Sequence, residues 1–441
     1  MTDDNMSLFY PSVESFENKS VLVTAPLPVF REEQDILPQS VNDKLSYMPW
    51  GLDNQLPFNM ISLVEMDETL STCQMFNAEI CYGSGLVYND VACSDDVKNS
   101  MQDFFLDNDL PSYFLGVCQD FKHFGFSVSV IILNADASKI VSVCRKEACY
   151  CRFTPANSKG IIENVLYANW RNAVDPDKIE VIPLLNPARP WSDLAERTGR
   201  SADVDGKRRM TNERKFAVLT KIPTPDSTYY PIPYYAALFK GSWFKIKTLI
   251  GVAKEAKLKN SAPIKYLIEI SDSYWKKIFE RERLTDHVKR QERIKAEKEK
   301  ILDFLTGVEN SGKAWFSSYY RDVQGHEWSD VKITNIEAAK EGGDWSTDII
   351  EAINMVCFTM RVHSNLVGSV PGKSQSNNSG SDKRELYTIA QALQKPYHDL
   401  LFNVHRIIIR FNDWTGAYPE VPFIQLTTLD EKTDAKLVTA E

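Results

Sequence analysis

The 441-residue chain has no run of about 18–20 apolar residues, so no segment is expected to cross a membrane as a helix. Its first residues, Met1-Thr2-Asp3-Asp4-Asn5, are acidic and no apolar stretch follows, which is not the pattern of a secretory signal. It has no excess of positive charge: 51 Lys and Arg stand against 60 Asp and Glu, a formal net charge of −9. Proteins that grip DNA by neutralising phosphates are usually basic, so strong overall attachment is excluded and any DNA contact must be local. The eight cysteines, Cys73, Cys81, Cys93, Cys118, Cys144, Cys149, Cys151 and Cys357, lack the paired spacing of a structural zinc site. Cys144, Cys149 and Cys151, with Cys118 or His123, are the nearest approach to one. The alternation Cys149-Tyr150-Cys151 instead suggests two thiols on one face of a strand, in a buried apolar role. Reduced thiols in a cytosolic compartment are expected.

Catalytic patterns are equally scarce. The six histidines form no H-E-x-x-H, no G-x-S-x-G is present, and no dense carboxylate motif occurs. No cofactor or metal is expected. What the chain does have is the composition of a folded protein, 43% apolar and 25% charged, with length for two to four domains.

Residues 1–45 hold scattered prolines and read as an extended arm, with one strand at Ser20–Thr24. Apolar residues at helical spacing run from Asn59 to Tyr82, stopped by Gly83-Ser84-Gly85. Helices follow at Ser94–Leu106, capped by Ser94, and at Ser112–Phe124, ended by Gly125. The period then becomes that of strands: Phe126–Leu133, a turn over Asn134–Lys139, and a return at Ile140–Cys144. Cys149–Phe153, Gly160–Tyr167 and Phe216–Lys221 read as further strands, with a loop over 187–215.

Pro233 is placed to open a long helix from Tyr234 to Asn260, roughly 40 Å at 1.5 Å per residue. Six of its lysines, including Lys247, Lys254 and Lys257, face one acid, Glu255. A strand at Ile264–Ile270 precedes a charged helix from Ser273 to Leu305, in which ten basic and seven acidic residues interleave. Strands at Trp315–Tyr320 and Val331–Ile336 follow. Ser346 caps a helix carrying Ile349, Ile353, Val356 and Met360. A second helix runs from Lys383 to Phe411 and should kink at Pro396, and a last strand is expected at Phe423–Leu426.

Between the last two helices lies Gly368–Asp382, GSVPGKSQSNNSGSD, with three glycines and five serines. Gly368-Ser-Val-Pro-Gly-Lys373-Ser374 approaches a phosphate-cradling loop, but three residues separate its glycines where a P-loop has four, and a helix precedes it instead of a strand. An ATP-dependent or hydrolytic nucleic-acid enzyme using Gly368–Lys373 is the rival reading. Another bacterial scaffold protein is a second.

The order of parts resembles the portal proteins of tailed bacteriophages. Tyr82-Gly83-Ser84-Gly85-Leu86 resembles the stop of that family's early wing helix, and Gly125–Cys144 its wing hairpin. Tyr230-Pro231-Ile232-Pro233-Tyr234 resembles the start of its first stem, and Asn310-Ser311-Gly312-Lys313 its clip. The fullest match is Ile353–Pro396, where a helix ends in His363-Ser364-Asn365-Leu366-Val367-Gly368 and Ser379–Glu385 leads into a helix carrying Lys395-Pro396. The resemblance spans about residues 50–412.

It implies an α+β subunit with an N-terminal arm at 1–45 and a mixed α/β wing at 46–232. The first stem helix would be 233–260, a small α/β clip 261–343, and the second stem helix 344–367. A tunnel loop at 368–382, a kinked helix at 383–412 and a C-terminal strand and tail at 413–441 complete it. The crown of larger members would be minimal or absent. It further implies a closed ring of roughly twelve copies at one capsid vertex. The ring would conduct DNA in packaging and ejection and make only transient contact with the duplex. Its partners would be the major capsid protein, the terminase large subunit and a head–tail adaptor, in the host cytoplasm during assembly and then in the virion. Lys373, Ser374, Lys383 and Arg384 are the expected channel residues of the loop. Lys247, Lys254 and Lys257 are the expected tunnel-facing lysines, and Leu238, Ile246, Ile250 and Ile353 the expected contacts between copies.

Overall fold

The structure, a computed structural model, describes residues 36–42, 45–172, 174–202, 206–208, 210–225, 227–260, 266–306, 319–321, 327–335, 345–368 and 380–426. These divide into two compact units, one within Met1–Ile250 and Ser346–Glu441, the other within Gly251–Trp345. The fold is α+β, with small antiparallel sheets set among helices.

The first unit is organised by the strand Phe126–Leu133, which pairs antiparallel on one side with Ile140–Lys146 and on the other with Lys215–Lys221. A strand's side chains alternate between faces, so a strand buried on both faces can serve two cores. Phe126, Val128 and Val130 enter one core with Ala217 and Leu219, while Ile131 and Leu133 enter the other with Phe216 and Val218. The first core also takes residues from the helices Leu56–Met66, Glu68–Tyr82 and Trp345–Thr359 and from a second sheet of Cys151–Phe153, Asn164–Tyr167 and Glu180–Pro183. The second core is closed by the helices Leu110–Phe124 and Lys395–Phe411, the latter burying Leu401, Val404, Ile408 and Phe411 in one stripe. Ser129, buried in the strand, is satisfied by the Tyr113 hydroxyl at 2.6 Å.

Several elements differ from the periodicity. The helix expected over 59–82 is two, because Asp67 turns extended and its carboxylate caps the second by accepting from the Leu70 N–H at 2.8 Å. Cys149 lies in a 3-10 turn, Ala148–Tyr150, so it does not share a strand face with Cys151. The loop expected over 187–215 contains a helix, Pro190–Arg197, with Pro190 in its first turn and Leu194 and Ala195 buried. The long helix expected from Tyr234 is interrupted: a short turn of helix, Ala237–Lys240, ends at the extended Gly241, and the main helix is Trp243–Asn260. No strand forms over Phe423–Leu426; the last described strand is Tyr418–Glu420, which pairs antiparallel with Val87–Asn89. The strand expected at Ser20–Thr24 lies outside the described residues.

In the second unit Tyr266–Ile270 pairs antiparallel with Val331–Asn335, and Tyr319–Arg321 with Glu327–Ser329. The charged segment forms two helices, Asp272–Arg281 and His287–Thr306. The first ends where Arg283 adopts a left-handed φ of 50° and the Leu284 N–H donates to Phe279 O at 2.9 Å. Arg293 then bridges Glu282 and Glu297 at 2.9 and 2.7 Å, and the Tyr274 hydroxyl donates to Glu297 at 2.9 Å. The Asn310–Lys313 turn lies outside the described residues.

Candidate functional site

The segment singled out by the sequence lies between two firmly held helices. Trp345–Thr359 buries Ala352, Ile353, Val356 and Cys357, spaced three or four apart, on the first core. It ends in a turn that satisfies its last carbonyls: Val362 N–H donates to Cys357 O and Arg361 N–H to Phe358 O, both at 3.0 Å. This is a Schellman arrangement, with Arg361 at the left-handed position, φ 57°, that usually holds glycine. Asn77 Nδ2 donates to Met360 O at 2.9 Å, and Cys73 Sγ approaches Cys357 Sγ at 3.8 Å, so the helix end is pinned to Glu68–Tyr82.

A short helix, Ser364–Val367, follows, its Asn365 N–H donating to His363 Nδ1 at 3.3 Å. Gly368 leaves it at φ 131°, ψ −176°, a conformation closed to residues with a Cβ. Lys373 and Ser374 lie outside the described residues. The next helix begins at Gly380, so Gly380, Ser381 and Asp382, expected in the loop, are helical. Lys383 is exposed and Arg384 half-buried in its first turns. Gly380–Ala392 is held by paired hydrogen bonds between Gln391 and the Ile424 backbone, at 2.8 and 3.0 Å. The expected kink is a full break at Leu393-Gln394, with Pro396 in the first turn of Lys395–Phe411, where a missing N–H costs nothing. Helices flank the loop on both described sides, so the strand a P-loop requires ahead of its phosphate cradle is not there.

The other expected residues are placed differently. Lys247 is buried, its ammonium hydrogen-bonded to Asp67 at 2.5 Å and 3.7 Å from Glu68, so it is an internal counter-charge and faces no channel. Lys254 is exposed, and the Lys257 side chain lies outside the description. Leu238, Ile250 and Ile353 are buried within the first unit and unavailable to a neighbouring copy; Ile246 is half-buried. The apolar side chains that do remain outside include Phe358, 77% exposed, and Ile389 and Leu393, 56% and 64% exposed. Phe358 lies off the stripe of Ile353, Val356 and Met360, a signal the helical spacing contained.

No protein-family sequence pattern matches the chain, and no curated protein sequence matches it. Solved structures do. One described as the neck of an empty GTA particle computed with C6 symmetry aligns at a TM-score of 0.51 and 12% identity, over 82% of this chain and 83% of that one. The virion of a native gene transfer agent particle aligns at 0.50 and 11%, over 82% of each chain. The neck of a native GTA particle computed with C12 symmetry aligns at 0.51 and 11%, over 86% of each. The chain therefore shares its fold with chains of these particles.

Proposed function

We propose that this chain is the portal subunit of a phage-like particle, a closed ring at one capsid vertex through which DNA enters and leaves. The likeness to neck and virion chains, running over 82–86% of both partners, carries this reading. One of those necks was computed with C12 symmetry, in keeping with about twelve copies. On this reading residues 46–232 form the wing, 233–260 and 344–367 the stem, 261–343 the clip, and 368–382 with the following helix the tunnel segment. The clip would receive the terminase large subunit during packaging and the head–tail adaptor afterwards, while the wing meets the major capsid protein. The energy for translocation comes from the terminase, and the subunit itself catalyses nothing.

The charge suits a sliding substrate. A formal net charge of −9 repels phosphate overall and lowers non-specific affinity. Lys383 and Arg384, repeated around a ring, would form a girdle touching passing phosphates weakly and in a salt-sensitive way. Contacts between copies would run through the exposed Phe358 and Ile389. Replacing both Lys383 and Arg384 by Ala should leave rings intact but lower the DNA packaged per head. Normal full heads from that variant would remove these residues from the channel.

A further inference from the structure

Three polar side chains of the first unit, Lys122, Tyr234 and Arg361, serve none of the contacts named above. Between the helices Glu68–Tyr82, Leu110–Phe124 and Gly380–Ala392 lies a cavity of about 320 Å³, at the lower end of the ~300–1,000 Å³ typical of small-molecule sites. Lys122, Tyr234 and Arg361 are among the residues that line it. Lys122 is 3% exposed, yet among the described residues its ammonium has one hydrogen-bond acceptor, Gln394 Oε1 at 2.7 Å, and one ring, Tyr397, at 3.5 Å. An ammonium has three donors, so with Gln394 and the Tyr397 ring each taking one, a third remains without an acceptor. The Tyr234 hydroxyl is buried and, among the described residues, has no hydrogen-bond partner. Arg361 makes no ion pair among the described residues, and no carboxylate lines the cavity.

A buried cation without a counter-anion is costly, and so is a buried hydroxyl without a partner. An anion accepting from Lys122 and Tyr234, with the exposed Arg361 beside them in the lining, would satisfy both. Burial pushes the Lys122 ammonium below its ordinary pKa, opposed by the nearby Cys81 and Cys118 thiols, while Arg361 adds to the fall. Much of the remaining lining is apolar, with Phe76, Ile80, Leu393 and Pro396. Few donors beside a hydrophobic wall suit a singly charged head on a small apolar body better than a dianion needing a full donor shell.

We propose that this cavity binds a small organic carboxylate, its oxygens on Lys122 Nζ, Tyr234 Oη and the Arg361 guanidinium and its body against Phe76, Ile80 and Leu393. Arg361 is a residue other than glycine in a left-handed turn, and its place there brings a guanidinium to the rim. That gives a test variant that does not threaten the fold, since glycine adopts φ 57° freely.

The experiment is calorimetric titration of the full chain with benzoate, with its neutral isostere benzamide, and with inorganic phosphate. Benzoate should bind at one per chain and raise the thermal midpoint, while benzamide and phosphate should do neither. Arg361→Gly should be at least as stable as the parent without ligand yet bind benzoate about tenfold or more weakly, the worth of a charged hydrogen bond. Lys122→Met should lose binding. The site would be overturned by no benzoate binding, by equal binding of benzamide, by preferred binding of phosphate, or by Arg361→Gly binding like the parent. Ring formation, imaged on the same samples, reports separately on the portal reading.

Discussion

Lys247 and Lys254 stand two turns apart on one helix and look alike in the sequence, yet they meet opposite surroundings. Lys247 is buried against Asp67, which also caps the helix Glu68–Tyr82. Replacing Lys247 by Met leaves that carboxylate buried without its partner and should cost about 3–5 kcal/mol. Lys254→Ala, at an exposed position, should stay within about 0.5 kcal/mol. Urea unfolding of the two variants measures both. Nothing local in the sequence distinguishes these lysines, because the partner of Lys247 lies 180 residues away.

Titration at the residue scale has a definite sign. Burial holds His405 down to about 3 and His123 to about 4, below the ordinary 6.5. The unfolded chain takes up these protons below pH 6.5 while the folded chain does not. Their contribution is therefore complete above pH 6.5 and lost as the pH falls through about 4 and 3. Asp120 works the other way, pushed up to about 7 by burial despite Arg145 at 3.5 Å. Its contribution is complete below about 3.8 and lost as the pH rises through 7. Asp120→Asn should therefore steepen the net loss of stability on acidification between pH 6.5 and 4, and His405→Gln should make it shallower. Denaturant midpoints across that range check both; parallel profiles for parent and variants would contradict them.

Among the elements, those whose pattern is local were legible. Phe126–Leu133 was readable to the residue because β-branched side chains fill it and Gly125 and Asn134 bound it. The helix breaks at Asp67, Gly241, Arg283 and Leu393-Gln394 were not, because apolar spacing runs on across a break and only the capping bonds reveal it. Pairing of Val87–Asn89 with Tyr418–Glu420 joins distant segments of three residues each, too short for a period to register. Gly125 ends its helix at φ 80°, and a Cβ there would lie 3.1 Å from Pro231 Cγ. Gly125→Ala should cost about 1–2 kcal/mol in unfolding free energy. Phe358, left outside its helix's buried stripe, should tolerate Asp with little change in monomer stability. If it meets a neighbouring copy, the same change should abolish assembly, read by sedimentation.

At the scale of the whole molecule, the α+β architecture could be read along the chain, while which apolar residues stay outside the core could not. Leu238, Ile250 and Ile353 carry the same hydrophobic signal whether they face their own core or a neighbour, and the structure assigns them to the core. The proposed channel residues depend even more on assembly, since a girdle of Lys383 and Arg384 would exist only with copies arranged about an axis. The central claim is thus that the chain closes into a ring. Electron microscopy of the purified full chain tests it most directly. The account predicts rings of uniform size with an open centre and rotational symmetry of about twelve, as in the C12 neck to which the fold is similar. A chain that stays monomeric at high concentration, or forms only open filaments, would contradict it.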